Sequence, residues 1–103
     1  MELLPGEIRA ALPPLRANEE QGMKAVAPVK LFTPDSNYTW YLTEFDGADE
    51  CFGLVSGDFL ELGYFSIGEI EGVRGSLGLP VERDLYYTPQ TLEALKQQHE
   101  SDH

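Results

Sequence analysis

Tyr38-Thr39-Trp40-Tyr41-Leu42-Thr43-Glu44-Phe45 is the stretch that decides the fold. It holds no Gly or Pro, and its aromatic and β-branched side chains suit a pleated, half-buried surface. Turn chemistry brackets it: Pro34-Asp35-Ser36-Asn37 precedes it, and Asp46-Gly47-Ala48-Asp49-Glu50 follows. The stretch therefore reads as a central strand. On its N-terminal side, Val26 to Thr33 is β-rich, with Pro28 arguing for an edge or an early strand position. On its C-terminal side, Cys51 to Val55 and Phe59 to Phe65 read as two more strands, separated by Ser56-Gly57-Asp58. Such short turns predict an antiparallel meander.

Helical signals flank this core. Leu4, Ile8, Ala11 and Leu12 share one face at helical spacing, Pro5 suits the first turn, and Pro13-Pro14 stops the helix. Ser66-Ile67-Gly68-Glu69 has the form of a capping box, with Ile67, Ile70 and Val73 as the apolar face and Gly75 as a stop. Val81 to Tyr87 predicts a short strand interrupted by Glu82-Arg83-Asp84, in which Arg83 and Asp84 read as a local ion pair. Thr88 is placed to cap the last helix and Pro89 to open it, with Leu92 and Leu95 buried and residues 97–103 expected to fray. The expectation is a single α+β domain over residues 1–103. Its core is a four- to five-stranded, mostly antiparallel sheet with short helices packed on one face.

Charge is the second signal. The chain has 18 acidic and 7 basic residues, a formal net charge of −11. From Leu31 to Val73 there is no Lys or Arg, while Asp35, Glu44, Asp46, Asp49, Glu50, Asp58, Glu61, Glu69 and Glu71 all fall there. A one-signed surface repels nucleic acid and anionic lipid and attracts basic partners. The lone Cys51 forms no intrachain disulfide, and neither a secretory signal pattern nor an apolar run of membrane-spanning length is present, so a cytoplasmic location is expected.

The central stretch, from Thr33-Pro34-Asp35-Ser36-Asn37 through Thr43-Glu44-Phe45-Asp46-Gly47, resembles a family of small bacterial proteins classed as a domain of unknown function. Leu3-Leu4-Pro5, Leu12-Pro13-Pro14-Leu15, Phe52-Gly53-Leu54-Val55, Glu61-Leu62-Gly63-Tyr64-Phe65 and Leu79-Pro80-Val81-Glu82-Arg83-Asp84 fit the same pattern. The resemblance carries no catalytic residues. It implies a place near plasmid and integrative-element genes, and so an accessory role in mobile DNA.

Six groups of residues are candidates for function. The acidic residues Asp35, Glu44, Asp46, Asp49, Glu50, Asp58 and Glu61 approach the charge spacing of a DNA strand if they converge along extended backbone, with Trp40 or Tyr41 as an anchor. By strand alternation Glu44 is expected on the face of Trp40 and Leu42. The alternative is a solvated negative face with no partner. Asp46, Asp49 and Glu50 lack calcium-loop spacing and read as turn residues, so no metal is expected. His99 and His103 have zinc-ligand spacing but lack a third ligand and read as solvated tail residues. Cys51, in an apolar strand, reads as inert. The aromatic residues Tyr38, Trp40, Tyr41, Phe45, Tyr64, Tyr86 and Tyr87 lack the interleaved Lys and Arg of a base-stacking surface and point to core packing or a protein interface. The glycines match no phosphate-binding or dinucleotide loop, so no cofactor is expected.

These features predict a non-enzymatic, acidic protein-binding module. Its sharpest form is an inhibitor of anti-CRISPR or antirestriction type that occupies the basic groove of a nucleic-acid-binding complex. The alternatives are a small enzyme or ligand-binding domain on the open sheet face, or an obligate subunit of a larger complex.

Overall fold

Pro28 splits the first extended segment and sends its halves to different sheets. In the computed structural model, which describes residues 1–101, Val26–Ala27 forms β1 and Val29–Phe32 forms β2. Pro has no N–H to continue a ladder, so the chain changes partner at that residue. β1 pairs with β7, Gln90–Thr91. β2 pairs with the central strand β3, Thr39–Phe45, which pairs with β4, Glu50–Ser56, and that with β5, Leu60–Ser66. The other side of β2 takes β6, Glu82–Arg83, so the main sheet has five antiparallel strands in the order β5-β4-β3-β2-β6. The expected meander and α+β class are therefore present.

Alternation along β3 builds two cores. Trp40 and Leu42 point into one, with Val29, Leu31, Cys51 and Val81. Tyr41 points into the other, with Leu54, Ala25 and Ala27. The helices divide between the same two faces. Helix α1 (Gly6–Ala11) brings Ile8, and α2 (Ile67–Glu71) brings Ile67 and Ile70, to the first core. Helix α3 (Leu92–Ser101) brings Leu92 and Leu95 to the second, beside a 3-10 segment at Glu19–Lys24 that supplies Met23. The sheet is thus covered on both faces rather than on one. The 3-10 segment has no apolar periodicity, which is why the sequence shows it as a plain polar connection.

Helix α3 differs from expectation at both ends. Thr91, not Thr88, caps it: Thr91 Oγ1 accepts the Ala94 N–H at 3.1 Å, while Gln90 and Thr91 are still paired as β7. At the far end the helix continues through Ser101 instead of loosening at residue 97. His99 explains this, because its ring is fastened to the sheet: Nε2 is 2.7 Å from the Tyr41 hydroxyl and Nδ1 is 3.1 Å from Ser56 Oγ. His99 is therefore no solvated tail residue, while His103 lies outside the described residues. The Arg83–Asp84 pair is also replaced. Asp84 meets Lys30 at 3.5 Å, and the Arg83 guanidinium donates to the carbonyls of Glu2 and Leu3. The N–H of Asp84, just past β6, donates to the Lys30 carbonyl at 2.9 Å, which brings its carboxylate beside the Lys30 ammonium. Among the described residues, no helix is long and apolar enough to cross a membrane.

Candidate functional site

The decisive local event is a bulge in β3. Its register with β4 shifts between Leu42, opposite Gly53, and Glu44, opposite Phe52. Thr43 is the extra residue, and its hydroxyl donates to the Phe52 carbonyl at 3.0 Å. An extra residue reverses the alternation beyond it. Glu44 consequently leaves the face of Trp40 and Leu42, where simple alternation puts it, and joins Tyr41, Leu54 and Phe52.

There Glu44 is 4% exposed, and its carboxylate is fully engaged. Oε1 accepts the Arg16 N–H at 2.8 Å, and Oε2 accepts the Asn18 N–H at 2.8 Å. Asn18 also donates its side-chain amide to the Thr43 carbonyl at 3.3 Å. These bonds hold the 13–18 connection over the sheet, and Arg16 takes a left-handed φ of 72° to make the turn. Buried N–H groups need acceptors, and a carboxylate serves two at once.

The held connection forms one bank of a groove of about 300 Å³. Arg16, Asn18 and Met23 lie on that bank, Phe52 and Glu44 form the floor, and Leu62 and Tyr64 of β5 form the far bank. The β4–β5 register sets Leu62 opposite Leu54 and Tyr64 opposite Phe52, so all four share the second face. The Phe52 and Tyr64 rings are 4.9 Å apart. Because α3 and the 3-10 segment cover the sheet near β3 and β4, Leu62 and Tyr64 stay 45% and 55% exposed. An apolar pocket this size with a few polar groups on one side has the form of a binding site.

The residues singled out from the sequence scatter over the molecule with different duties. Trp40 and Tyr41 are 7% and 2% exposed, core residues rather than anchors. Asp35 Oδ2 accepts the N–H groups of Leu77 and Leu79, pinning the loop after α2. Asp46 Oδ1 accepts three, from Ala48, Asp49 and Glu50. Those bonds, the Ala48 one first, hold its carboxyl below the usual carboxylate range. Asp49 caps α2 together with Ser66: its Oδ1 accepts the Gly68 N–H, and its Oδ2 accepts the Ser66 hydroxyl. The exposed Asp58 receives the Tyr38 hydroxyl at 3.4 Å, while Glu50 and Glu61 extend from the sheet as exposed carboxylates. Burial, with the charges of Asp49 and Asp46, pushes the Cys51 thiol up to about 12. Among the described residues, no group of three or more His, Cys, Asp or Glu is placed to hold a metal ion.

Residues 3–97 match the family described as protein of unknown function, DUF2958. The chain belongs to that family. No curated protein and no solved structure matches the chain. The match takes in β1 to β7 and the start of α3, so both banks of the groove lie within the DUF2958 region.

Tyr64 belongs to the aromatic set visible in the sequence, whereas Phe52 and Leu62 carry no such mark. The available signal is the alternation Leu60, Leu62, Tyr64 within the last strand of the meander. What it omits is how far α3 and the 3-10 segment extend over the sheet, which leaves Leu62 and Tyr64 about half exposed.

Proposed function

We propose that this DUF2958 protein is a non-enzymatic binding module that recognises a protein with a basic surface, using the groove between the 13–18 connection and β5 as its anchor point. The observation that carries this reading is the pair Leu62 and Tyr64, about half exposed beside an apolar groove. They lie in a segment, Leu31 to Val73, that contains no Lys or Arg. Apolar side chains left open on a domain of net charge −11 suit a partner that supplies an apolar anchor within positive charge. Glu50, Asp58 and Glu61 present exposed carboxylates for direct pairing with Lys or Arg of the partner, while the whole acidic segment supplies the steering field.

The class of partner that fits is a nucleic-acid-binding complex, whose basic groove accepts an acidic surface. An accessory protein of a mobile element that inhibits a host-defence complex, of anti-CRISPR or antirestriction type, is the corresponding role, with the cytoplasm as its compartment. The charge distribution and the family resemblance support this role.

The test is affinity capture from nuclease-treated host lysate at low and high salt, comparing wild type with L62S/Y64S. The expected result is a basic nucleic-acid-binding protein retained at low salt, displaced by added DNA and lost with the double substitution. A captured partner indifferent to salt, to DNA and to the double substitution overturns the reading.

A further inference from the structure

The two edges of the main sheet are treated differently. At one edge, β6 is two residues long and the N-terminal segment covers it: the Arg83 N–H points to Met1 Sδ, and the Arg83 guanidinium holds the carbonyls of Glu2 and Leu3. At the other edge, β5 runs for seven residues, Leu60–Ser66, with no Pro, Lys or bulge. Among the described residues, no strand pairs with its outer side. Long flat edges without such devices accept further strands.

Which backbone groups face outward follows from the hydrogen bonds at the two ends of the hairpin. The Ile67 N–H donates to the Asp49 carbonyl at 2.9 Å, and the Gly57 N–H donates to the Phe59 carbonyl at 3.0 Å. Both bonds give the same parity in the β4–β5 register, in which Gly53 is opposite Gly63. In an antiparallel pair, bonded and non-bonded positions alternate. Glu61, Gly63 and Phe65 therefore bond inward to β4. The N–H and C=O groups of Leu60, Leu62 and Tyr64 point out from the edge. The residues whose backbone is open are those whose side chains line the groove face.

We infer that the outer edge of β5 receives an extended segment of a basic partner protein as a sixth strand, with alternating apolar and Lys/Arg side chains. This rests on the protein-binding reading above and specifies the partner's chemistry. On the groove face, apolar side chains of the incoming strand lie beside Leu62 and Tyr64, which alternate with the period of a strand. On the opposite face the strand presents Glu61, its one charged residue, next to Gly63, where an added Cβ meets nothing within 4 Å. A Lys or Arg stem lies over that open glycine and brings its charge to Glu61. A second copy of this chain is the poorer occupant, because it carries the same Glu61 and the same net charge of −11.

The experiment uses the full chain, 15N-labelled. The probe is a capped seven-residue peptide alternating valine and lysine, compared with the same peptide N-methylated at alternate backbone positions. The expected result is slowed amide exchange at Leu62 and Tyr64, by tenfold or more at saturation, and at least tenfold weaker binding of the N-methylated peptide. L62P, which removes an outward N–H while leaving the β4 ladder bonds, is expected to weaken the unmodified peptide at least tenfold more than L62A, which loses the same side chain but keeps that N–H. Equal binding of both peptides, with resonance shifts centred on Phe52 and Met23 and no protection at the edge, overturns strand addition and leaves the groove in place. Absence of binding by either peptide also overturns strand addition, while the groove reading stands or falls on capture by wild type against L62S/Y64S. Protection of Leu62 and Tyr64 that rises with protein concentration, without peptide, assigns the edge to a second copy and overturns the inference.

Discussion

Glu44 Oε1 accepts the backbone N–H of Arg16 at 2.8 Å, across a sequence separation of 28 residues. This bond, with its twin to Asn18, turns an acidic residue of the central strand into the fastening of a surface connection. The held connection is one bank of the groove, so Glu44 both lines the floor and fastens the bank beside it.

Replacing Glu44 with Ala is expected to destabilise the protein by about 3 kcal/mol, because two N–H groups lose a carboxylate acceptor. Gln, which retains one acceptor oxygen, is expected to recover part of the loss. Urea denaturation of the three proteins checks this. A change under about 0.5 kcal/mol for E44A would show that water satisfies those N–H groups equally well.

Gly53 and Gly63 face each other across β4 and β5 but differ in surroundings. A Cβ on Gly53 would overlap the Tyr41 carbonyl oxygen, whereas one on Gly63 meets nothing within 4 Å. G53A is therefore expected to lose about 3 kcal/mol or to fail to fold, and G63A to stay within about 1 kcal/mol of wild type. Thermal unfolding of both variants distinguishes them, and equal melting temperatures would contradict the packing described.

The His99 ring bridges the Tyr41 and Ser56 hydroxyls and fixes the last turns of α3 to the sheet. H99A is expected to cost about 1–2 kcal/mol. Y41F and H99A together are expected to show a coupling of about 1 kcal/mol in a double-mutant cycle. Strict additivity would mean that the Tyr41 hydroxyl bond to the His99 ring contributes nothing to docking.

Asp46 has a folded-state pKa below its ordinary value of 3.8, the Ala48 and Asp49 N–H groups being the main causes. A depressed carboxyl pKa gives stability that is present above the unfolded value and lost as pH falls through the folded value. In D46N that contribution no longer titrates, so the decline of stability below about pH 3.8 is expected to be shallower. Parallel acid limbs for the two proteins would refute the assignment.

Cys51, raised to about 12 chiefly by burial, is expected to resist alkylation at pH 8 until the protein unfolds. Its labelling rate should therefore track global unfolding in urea. Above pH ~9 the unfolded thiol ionises while the folded one stays neutral, so stability is expected to fall from there towards pH 12. Rapid labelling under native conditions would place the thiol at the surface.

The meander, the Ser66 cap and the segregation of charge were legible in the sequence because each is local. Alternation over a few residues marks a strand, a turn tetrad marks a reversal, and Ser66 Oγ does accept the Glu69 N–H at 3.1 Å. The site was legible only in fragments. Tyr64 stood out as an aromatic residue, but half-exposure is a property of what fails to cover a side chain, and no local pattern encodes that.

By itself the sequence determined an α+β chain with an antiparallel meander and a one-signed charge from Leu31 to Val73. The tertiary structure decided which face each side chain serves. A single extra residue at Thr43 moves Glu44 across the sheet, and Pro28 hands the chain from one sheet to another. His99 gains its role from contacts with Tyr41 and Ser56, 58 and 43 residues away. Periodicity fixes the alternation of a strand but not its register against a neighbour. Register is set by the sum of packing across the sheet, and it is register that brought Phe52, Leu62 and Tyr64 to one groove.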